Sequence, residues 1–117
     1  MKGVVFMNIN FKADTALPQF LPYPKFLVGS KLSLSARVVY ALLLQRTTLS
    51  QMNGWTDEDG KVFVVYPIEE LASDLGCSMA TVKRALLSLD EADLIERRRY
   101  AFDGANRIFL KLPMDQN

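Results

Sequence analysis

The sequence predicts an α+β fold in which two short helices are followed by a β-hairpin. The segment 68–89 contains two runs of apolar residues at helical spacing, separated by Gly76. The segment 95–112 contains two strand-like runs separated by the turn dipeptide Asp103-Gly104. This order is that of a winged helix-turn-helix, and the preceding sequence adds an N-terminal arm, a helix and a short β-hairpin.

The first helix of the pair is predicted between Pro67 and Gly76. Pro67 suits the first turn of a helix, where a missing N–H costs little, and Gly76 suits the left-handed position after the last turn. Glu69 and Glu70 fall in the first turn, where the helix dipole favours negative charge. The apolar stripe of this helix consists of Ile68, Leu71, Ala72 and Leu75.

The second helix is predicted to begin after Ser78, which is a good N-cap residue. Its apolar positions are Val82, Ala85, Leu86 and Leu89, and no acidic residue occurs from 78 to 89. In a helix-turn-helix the second helix reads the major groove, so its hydrogen-bond donors are candidate DNA-binding residues. They are Ser78, Thr81, Lys83, Arg84 and Ser88. Helix pairs joined through glycine also occur in ordinary bundles and protein-docking modules, so the pair alone leaves the partner open.

The hairpin that follows is predicted to be the wing. Its return strand is expected from Arg107 to Leu112, with Ile108, Leu110 and Leu112 on one apolar face. The hairpin is rich in basic residues, which are Arg97, Arg98, Arg99, Arg107 and Lys111, against the acids Glu96 and Asp103. Positive charge beside a reading helix favours phosphate contact, although it would also keep a solvated sheet edge soluble.

The three consecutive arginines of the wing cannot all face one DNA backbone. Successive residues of a strand point to opposite faces of the sheet. We therefore expect either Arg97 and Arg99 together, or Arg98 alone, to face the duplex. With Arg107 on the return strand, these residues complete the candidate DNA-binding set.

Residues 1–30 are predicted to form an extended arm, and residues 31–117 the DNA-binding domain. The prolines of the arm (Pro18, Pro22 and Pro24) exclude a regular helix there. Phe20, Tyr23 and Phe26 lie between them, which favours packing on the same domain or on a second copy over an arm lying along DNA.

The domain is expected to start with one helix and one short hairpin. The helix should run from about Leu34 into Thr47, capped by Ser33, and its apolar residues cover more than one face. It is therefore either a central core helix or a dimer contact. Lys61–Tyr66 and the preceding Trp55-Thr56 predict the hairpin.

Composition narrows the function further. The net charge of the 117 residues is only +1, but residues 1–50 hold six basic residues and one acid, whereas residues 51–77 hold one basic residue and six acids. Such separation indicates a polarised surface. There is no histidine and no phosphate-binding GxxxxGK[ST] loop, and the triplet Asp57-Glu58-Asp59 precedes Gly60 as in a turn rather than a magnesium site. We expect no enzyme activity, no metal and no cofactor.

The compartment is predicted from similar features. Cys77 is the single cysteine, and it cannot form an internal disulfide. The N-terminal apolar run is too short for a signal peptide, and no run approaches the length of a membrane span. We expect a cytoplasmic protein that does not associate with membranes.

Three strings of the sequence are distinctive, namely FLPYPKFLVGSKLSLSARVVYALLLQR, NGWTDEDGKVFVVYPIEELASDLGCSMATVKRALLSLDEADLIERRR and NRIFLKL. They resemble the N-terminal domain of RepA-type replication initiators from theta-replicating plasmids of Gram-positive bacteria. The resemblance extends from about Phe20 to Leu112, and its most specific parts are P-K-F-L at 24–27, the Y-A-L-L-L-Q-R helix and N-G-W-x-D-x-x-G-K-V.

The resemblance implies a winged-helix homodimer that binds double-stranded origin repeats. By position it places Ser78, Thr81, Lys83 and Arg84 on the reading helix, and Arg97 to Arg99 and Arg107 in the wing. It also implies a C-terminal domain that engages host replication proteins, so the chain would be a fragment or a short relative. One departure is that Met79 and Ala80 open the reading helix without polar reach, which favours apolar contacts such as thymine methyls.

Two other functions share the same geometry. A winged-helix transcriptional repressor would bind a promoter operator instead of an origin. A protein-docking winged helix would show no salt-dependent affinity for DNA.

Overall fold

The computed structural model describes residues 7–99 and 106–114. In this part of the chain a 3-10 turn, Lys25–Leu27, precedes three α-helices and two strands. The helices are α1 (Leu34–Asn53), α2 (Ile68–Leu75) and α3 (Met79–Glu91), and the strands are β1 (Ile95–Arg99) and β2 (Asn106–Leu110). The antiparallel pair β1–β2 follows the helix pair α2–α3, which confirms the predicted α+β winged helix-turn-helix.

The first helix, α1, forms the centre of the core. The Ser33 hydroxyl accepts a hydrogen bond from the Ala36 N–H at 3.1 Å, as expected of an N-cap. Val39, Tyr40 and Leu43 are fully buried, and the remaining apolar residues of 38–44 are at least partly covered. Burial on several sides identifies α1 as a central core helix, one of the two expected alternatives.

The predicted end of α1 near Thr47 was wrong, because the helix continues to Asn53. The Thr47 hydroxyl donates to the Leu43 carbonyl at 2.7 Å, so this threonine is accommodated inside the helix. Gly54 follows in the left-handed conformation, with φ of 73°, and its N–H donates to the carbonyls of the last turn. The helix therefore ends at the first glycine after its start.

The helix pair has the predicted form. Gly76 ends α2 with φ of 70° and ψ of 36°, and its N–H donates to the Ala72 carbonyl. Pro67 lies one position earlier than expected, as the N-cap of α2 rather than in its first turn. The Ser78 hydroxyl accepts from the Thr81 N–H at 3.1 Å and begins α3. The buried residues of α3 are the predicted ones, Val82, Ala85, Leu86 and Leu89.

The return strand of the wing ends two residues earlier than predicted, and it has buried apolar residues on both faces. The strand β2 ends at Leu110, and Leu112 lies beyond it with 55% of its surface exposed. Phe109 is buried beside Ile108, so the predicted single apolar face at 108, 110 and 112 was wrong. The reason is that the Phe63 ring covers Phe109 from the other side, with ring centroids 5.9 Å apart. The predicted Asp103-Gly104 turn lies outside the described residues.

The hairpin predicted before α2 is reduced to a single bridge between Thr56 and Val62. The Asp57 carboxylate accepts from the Asp59 and Lys61 N–H groups at 3.0 and 2.8 Å, which confirms a turn at this point. Val64 then forms a reciprocal pair of 2.9 Å backbone hydrogen bonds with Ile108. The segment 55–66 thus pairs with the outer edge of β2.

Within residues 7–30, the part of the arm that the structure describes, the residues packed on the core lie near its end. Leu27 is fully buried, and the Phe26 ring packs edge-on against Tyr40 at 5.5 Å between centroids. By contrast, most residues from 7 to 21 are exposed, including Phe11 and Phe20. Among the described residues, none of the helices combines the length and the apolar character that crossing a membrane requires.

Candidate nucleic-acid interface

The exposed face of α3 presents two cations beside a row of hydroxyls. Lys83 and Arg84 are exposed, opposite the buried stripe, whereas Thr81 and Ser88 are half-buried on the side of α3 that faces α1. The Arg84 Nη2 atom lies 3.3 Å from the Thr81 Oγ1 atom, which is itself 3.0 Å from the Ser78 hydroxyl. Four of the five α3-region candidates therefore line one contiguous polar strip that ends at Arg84 and Ser88.

The charge of these two cations is not neutralised within the described residues. Across 7–99 and 106–114, no carboxylate oxygen lies within 4 Å of the Lys83 or Arg84 nitrogens. The acids that follow on the same helix, Asp90 and Glu91, lie at its C-terminal end. The N-terminal two-thirds of α3 is therefore a positive surface.

The wing borders one side of α3. The Arg97 guanidinium contacts the Asp90 carboxylate with Nε–Oδ2 and Nη2–Oδ2 distances of 2.8 Å. Arg99 is exposed and shares the Arg97 face of β1, because residues two apart on a strand point the same way. Met79, Leu86, Arg97, Asn106 and Ile108 line part of a cleft of about 400 Å³ between the wing and α3.

Arg98 and Arg107 lie on the opposite face of the wing. They are cross-strand neighbours in the β1–β2 register. The Arg98 guanidinium carbon lies 4.8 Å from the Phe109 ring centroid, and that of Arg107 lies 4.4 Å from the Phe63 ring centroid. Arg98 also contacts Glu96 at 2.7 Å. The structure thus groups Arg97 with Arg99 on the α3 side and turns Arg98 and Arg107 towards the segment 55–66.

This outer face was not predicted from the sequence. The Asp57 side chain is only 2% exposed and lies 3.8 Å from Arg98, so the 57–60 turn contacts the wing directly. Hydrogen bonding by Arg98 is the main cause that lowers the pKa of Glu96. The available signal was that Phe63 and Phe109 each lie two residues from a basic residue. That signal can be interpreted only once the two rings are known to be in contact.

A second cleft borders the other side of α3, between that helix and the start of α1. It has a volume of about 310 Å³ and is lined by Ser33, Ser35, Thr81, Arg84, Ala85 and Ser88. Sequence reasoning missed Ser33 and Ser35 as site residues, since at least 46 positions in the sequence separate them from the α3 residues that line this cleft. Their hydroxyls join three of the predicted donors.

Among the described residues, no group of three or more cysteine, aspartate or glutamate side chains is arranged to hold a metal ion. The side chains that the fold brings together here are hydroxyls and guanidinium and ammonium groups. Such groups donate hydrogen bonds and supply positive charge, which suits an anionic partner.

A helix pair with an exposed, donor-rich second helix and a basic hairpin beside it defines a winged helix-turn-helix protein. A family model described as "Replication initiator protein A (RepA) N-terminus" matches residues 17–117. The chain belongs to this family, as the sequence resemblance predicted.

Solved structures with the same fold include replication proteins. The chain is similar to "Structure of Rep-DNA complex", with 29% identity, a TM-score of 0.69 and coverage of 82% of this chain and 77% of that one. It is also similar to "N-Terminal domain of DNA binding protein", with 26% identity, a TM-score of 0.71 and coverage of 92% and 86%. A third structure, "Structure of MDR initiator", has 27% identity, a TM-score of 0.68 and coverage of 81% and 78%.

A longer relative is also known. A "41 kDa protein" from Lactobacillus helveticus is 31% identical over 100 residues, which make up 86% of this chain. The chain spans only 28% of the length of that protein.

Proposed function

We propose that this chain binds double-stranded DNA sequence-specifically, at the repeats of a plasmid origin, and so initiates replication. The observation that carries the proposal is the acid-free N-terminal part of α3, where Lys83 and Arg84 are exposed and unpaired with any described carboxylate. Family membership and the similarity to a Rep–DNA complex support the same reading. No catalytic step is part of the proposal.

The proposed docking places α3 in the major groove. That groove is about 12 Å wide and admits one α-helix. Arg84 and Thr81 contact base edges or adjacent phosphates, whereas Lys83 contacts phosphates. Met79 and Ala80, which open α3, offer apolar contact to thymine methyls.

The wing arginines divide between two roles in this proposal. Arg97 and Arg99 lie on the α3 side and meet the phosphates next to the groove occupied by α3. Arg98 lies 3.8 Å from Asp57 and Arg107 stacks on Phe63, so both act first by holding the wing against the segment 55–66. Their outer edges add positive potential near the duplex.

Three further proposals extend beyond this chain alone. Origin repeats suit a homodimer, since two reading helices can then engage two half-sites. Contact with host replication proteins is assigned to a further domain, because the chain spans only part of the longer relative. Action on plasmid DNA places the protein in the cytoplasm.

A binding titration tests the proposal. Fragments that tile the gene of this protein and its flanks are titrated at several salt concentrations, beside a random duplex of equal length. We expect a preferred fragment with iterated sites, and an affinity that falls as salt rises because bound phosphates release counterions. Equal affinity for every fragment would contradict sequence specificity. A single preferred site within a promoter would favour a transcriptional repressor, and no salt-dependent binding at all would favour a protein-docking module.

A further inference from the structure

The cleft between α1 and α3 has the chemistry of an anion site. Four of its six lining residues carry a hydroxyl, a fifth is Arg84 and the sixth is Ala85; the four are Ser33, Ser35, Thr81 and Ser88. None of these lining residues is acidic. Hydroxyl and guanidinium donors together suit a phosphate oxygen better than a cation or an apolar group.

The position of the cleft relative to α3 matters as much as its lining. Met79 and Leu86 of α3 line the cleft beside the wing, whereas Thr81, Arg84 and Ser88 line the cleft beside α1. At 3.6 residues per turn, these two sets lie on opposite flanks of the exposed Lys83. The wing and the start of α1 therefore border α3 from its two sides.

Both sides of a helix in the major groove meet phosphates. A helix with its side chains is about 10–12 Å across, nearly the width of the groove, so one sugar-phosphate backbone runs along each flank. The wing accounts for only one of these backbones. The α1–α3 cleft faces the position of the other.

We propose that this cleft is a second backbone-phosphate site, in which Ser35 and Ser88 donate hydrogen bonds and Arg84 supplies the charge. The inference rests on the proposed DNA binding and adds α1, through Ser35, to the contact surface. Its ligand is a phosphate diester of the duplex, bound without regard to sequence. Thr81 contributes by holding the Arg84 guanidinium at 3.3 Å.

The first test adds a negative charge to the cleft. Ser35→Glu places a carboxylate in the first turn of α1, where it is compatible with the helix, so the variant should fold. Thr48→Glu is the matched control, because Thr48 is exposed on the same helix, about 20 Å further along its axis. Circular dichroism and thermal unfolding check that both variants are folded.

The expected result is a loss of affinity that does not depend on sequence. Ser35→Glu should weaken binding to the preferred fragment and to a random duplex by about tenfold or more, whereas Thr48→Glu should change both by less than about twofold. Equal affinities for the two variants would overturn the proposal. If the wild-type protein bound no duplex, the proposed function would fail first, so the two failures are distinguishable.

The second test assigns the contact to one phosphate. Single phosphates of the preferred fragment are replaced by neutral methylphosphonates, and each duplex is titrated with the wild type and with Ser35→Ala. At one backbone position the methylphosphonate should weaken binding of the wild type by roughly five- to tenfold. The same methylphosphonate should weaken binding of Ser35→Ala by a smaller factor, because that variant already lacks the hydrogen bond. Strictly additive losses at every position would exclude a Ser35–phosphate contact.

Discussion

The Arg97 guanidinium lies 2.8 Å from the Asp90 carboxylate, which joins the last turn of α3 to the first strand of the wing. Both side chains are about one-third exposed, so water screens the pair. Its contribution to folding is therefore small, of the order of 0–1 kcal/mol. Its larger effect is on charge, because Asp90 neutralises Arg97, a cation that otherwise faces the proposed path of the DNA.

Replacing Asp90 by Asn should raise DNA affinity. Arg97 is then released to a phosphate, so binding to random duplexes should tighten and the slope of log K against log salt should steepen by roughly one. Glu91→Gln is the matched control, since it removes the same charge one position later, on an exposed residue. If the two variants gained affinity equally, the gain would reflect net charge rather than the release of Arg97.

Arg84→Ala and Lys83→Ala should separate base reading from phosphate contact. If Arg84 reads a base edge, its loss should cost about 1–3 kcal/mol on the preferred fragment and relax sequence preference. Lys83→Ala should weaken specific and random duplexes about equally. Competition titrations measure the ratio of specific to random affinity. An unchanged ratio in Arg84→Ala would exclude base reading by Arg84 and leave it the phosphate contact of the α1–α3 cleft. Intact binding by the double variant would contradict the assignment of α3 as the reading helix.

Phe109→Ala and Leu112→Ala should differ sharply in stability, which tests the corrected apolar surface of the wing. Phe109 is 3% exposed and packs against Phe63, so its truncation should cost about 3–5 kcal/mol. Leu112 is 55% exposed, and its truncation should cost about 0.5 kcal/mol or less. Urea unfolding monitored by circular dichroism measures both values. Comparable losses for the two variants would mean that Leu112 is packed in solution.

Alkaline pH should unfold the protein partly through two tyrosines. Burial raises the pKa of Tyr40 to about 12, and burial followed by the hydrogen bond to Asp74 raises the pKa of Tyr66 to about 12. In the unfolded chain both should lose their protons near pH 10. The folded state thus binds more protons between pH 10 and 12, and the free energy of unfolding should fall as pH rises through that window.

The matched variants isolate this effect. Tyr66→Phe removes one titrating group and should make the decline in unfolding free energy above pH 10 shallower. Tyr23→Phe, a change at an exposed position of the arm, should leave the slope as in the wild type. Urea titrations at a series of pH values from 8 to 11.5 provide the measurement. Parallel slopes for the Tyr66→Phe and wild-type proteins would exclude a contribution from Tyr66.

The helix pair could be predicted from the sequence because its signals are local. Gly76 and Ser78 set the end of one helix and the start of the next through conformational preference and capping, which depend on few neighbours. The apolar period of α3 similarly gave its four buried residues. Family membership followed from short strings rather than from these physical signals.

Features that depend on distant partners could not be predicted in the same way. The burial of Phe109 requires Phe63, which is far away in the sequence. Val64 and Ile108 are likewise paired although the whole helix pair lies between them in the chain. Ser35 and Ser88 line the same cleft only because α1 packs against α3. The sequence likewise could not show which arginines face α3. Arg97 contacts Asp90 of α3, whereas Arg98 stacks on Phe109 on the other face of the wing.

The pairing of Val64 with Ile108 also limits the addition of a further strand to the wing. With β1 on one side and the segment around Val64 on the other, β2 has no open edge at Ile108. The outer edge of β1 ends in three arginines, so strand addition along that edge would place another chain beside three positive charges. Two copies that met there through their arginines would bring like charges together, so the arginines proposed to contact DNA would also discourage fibrillar stacking.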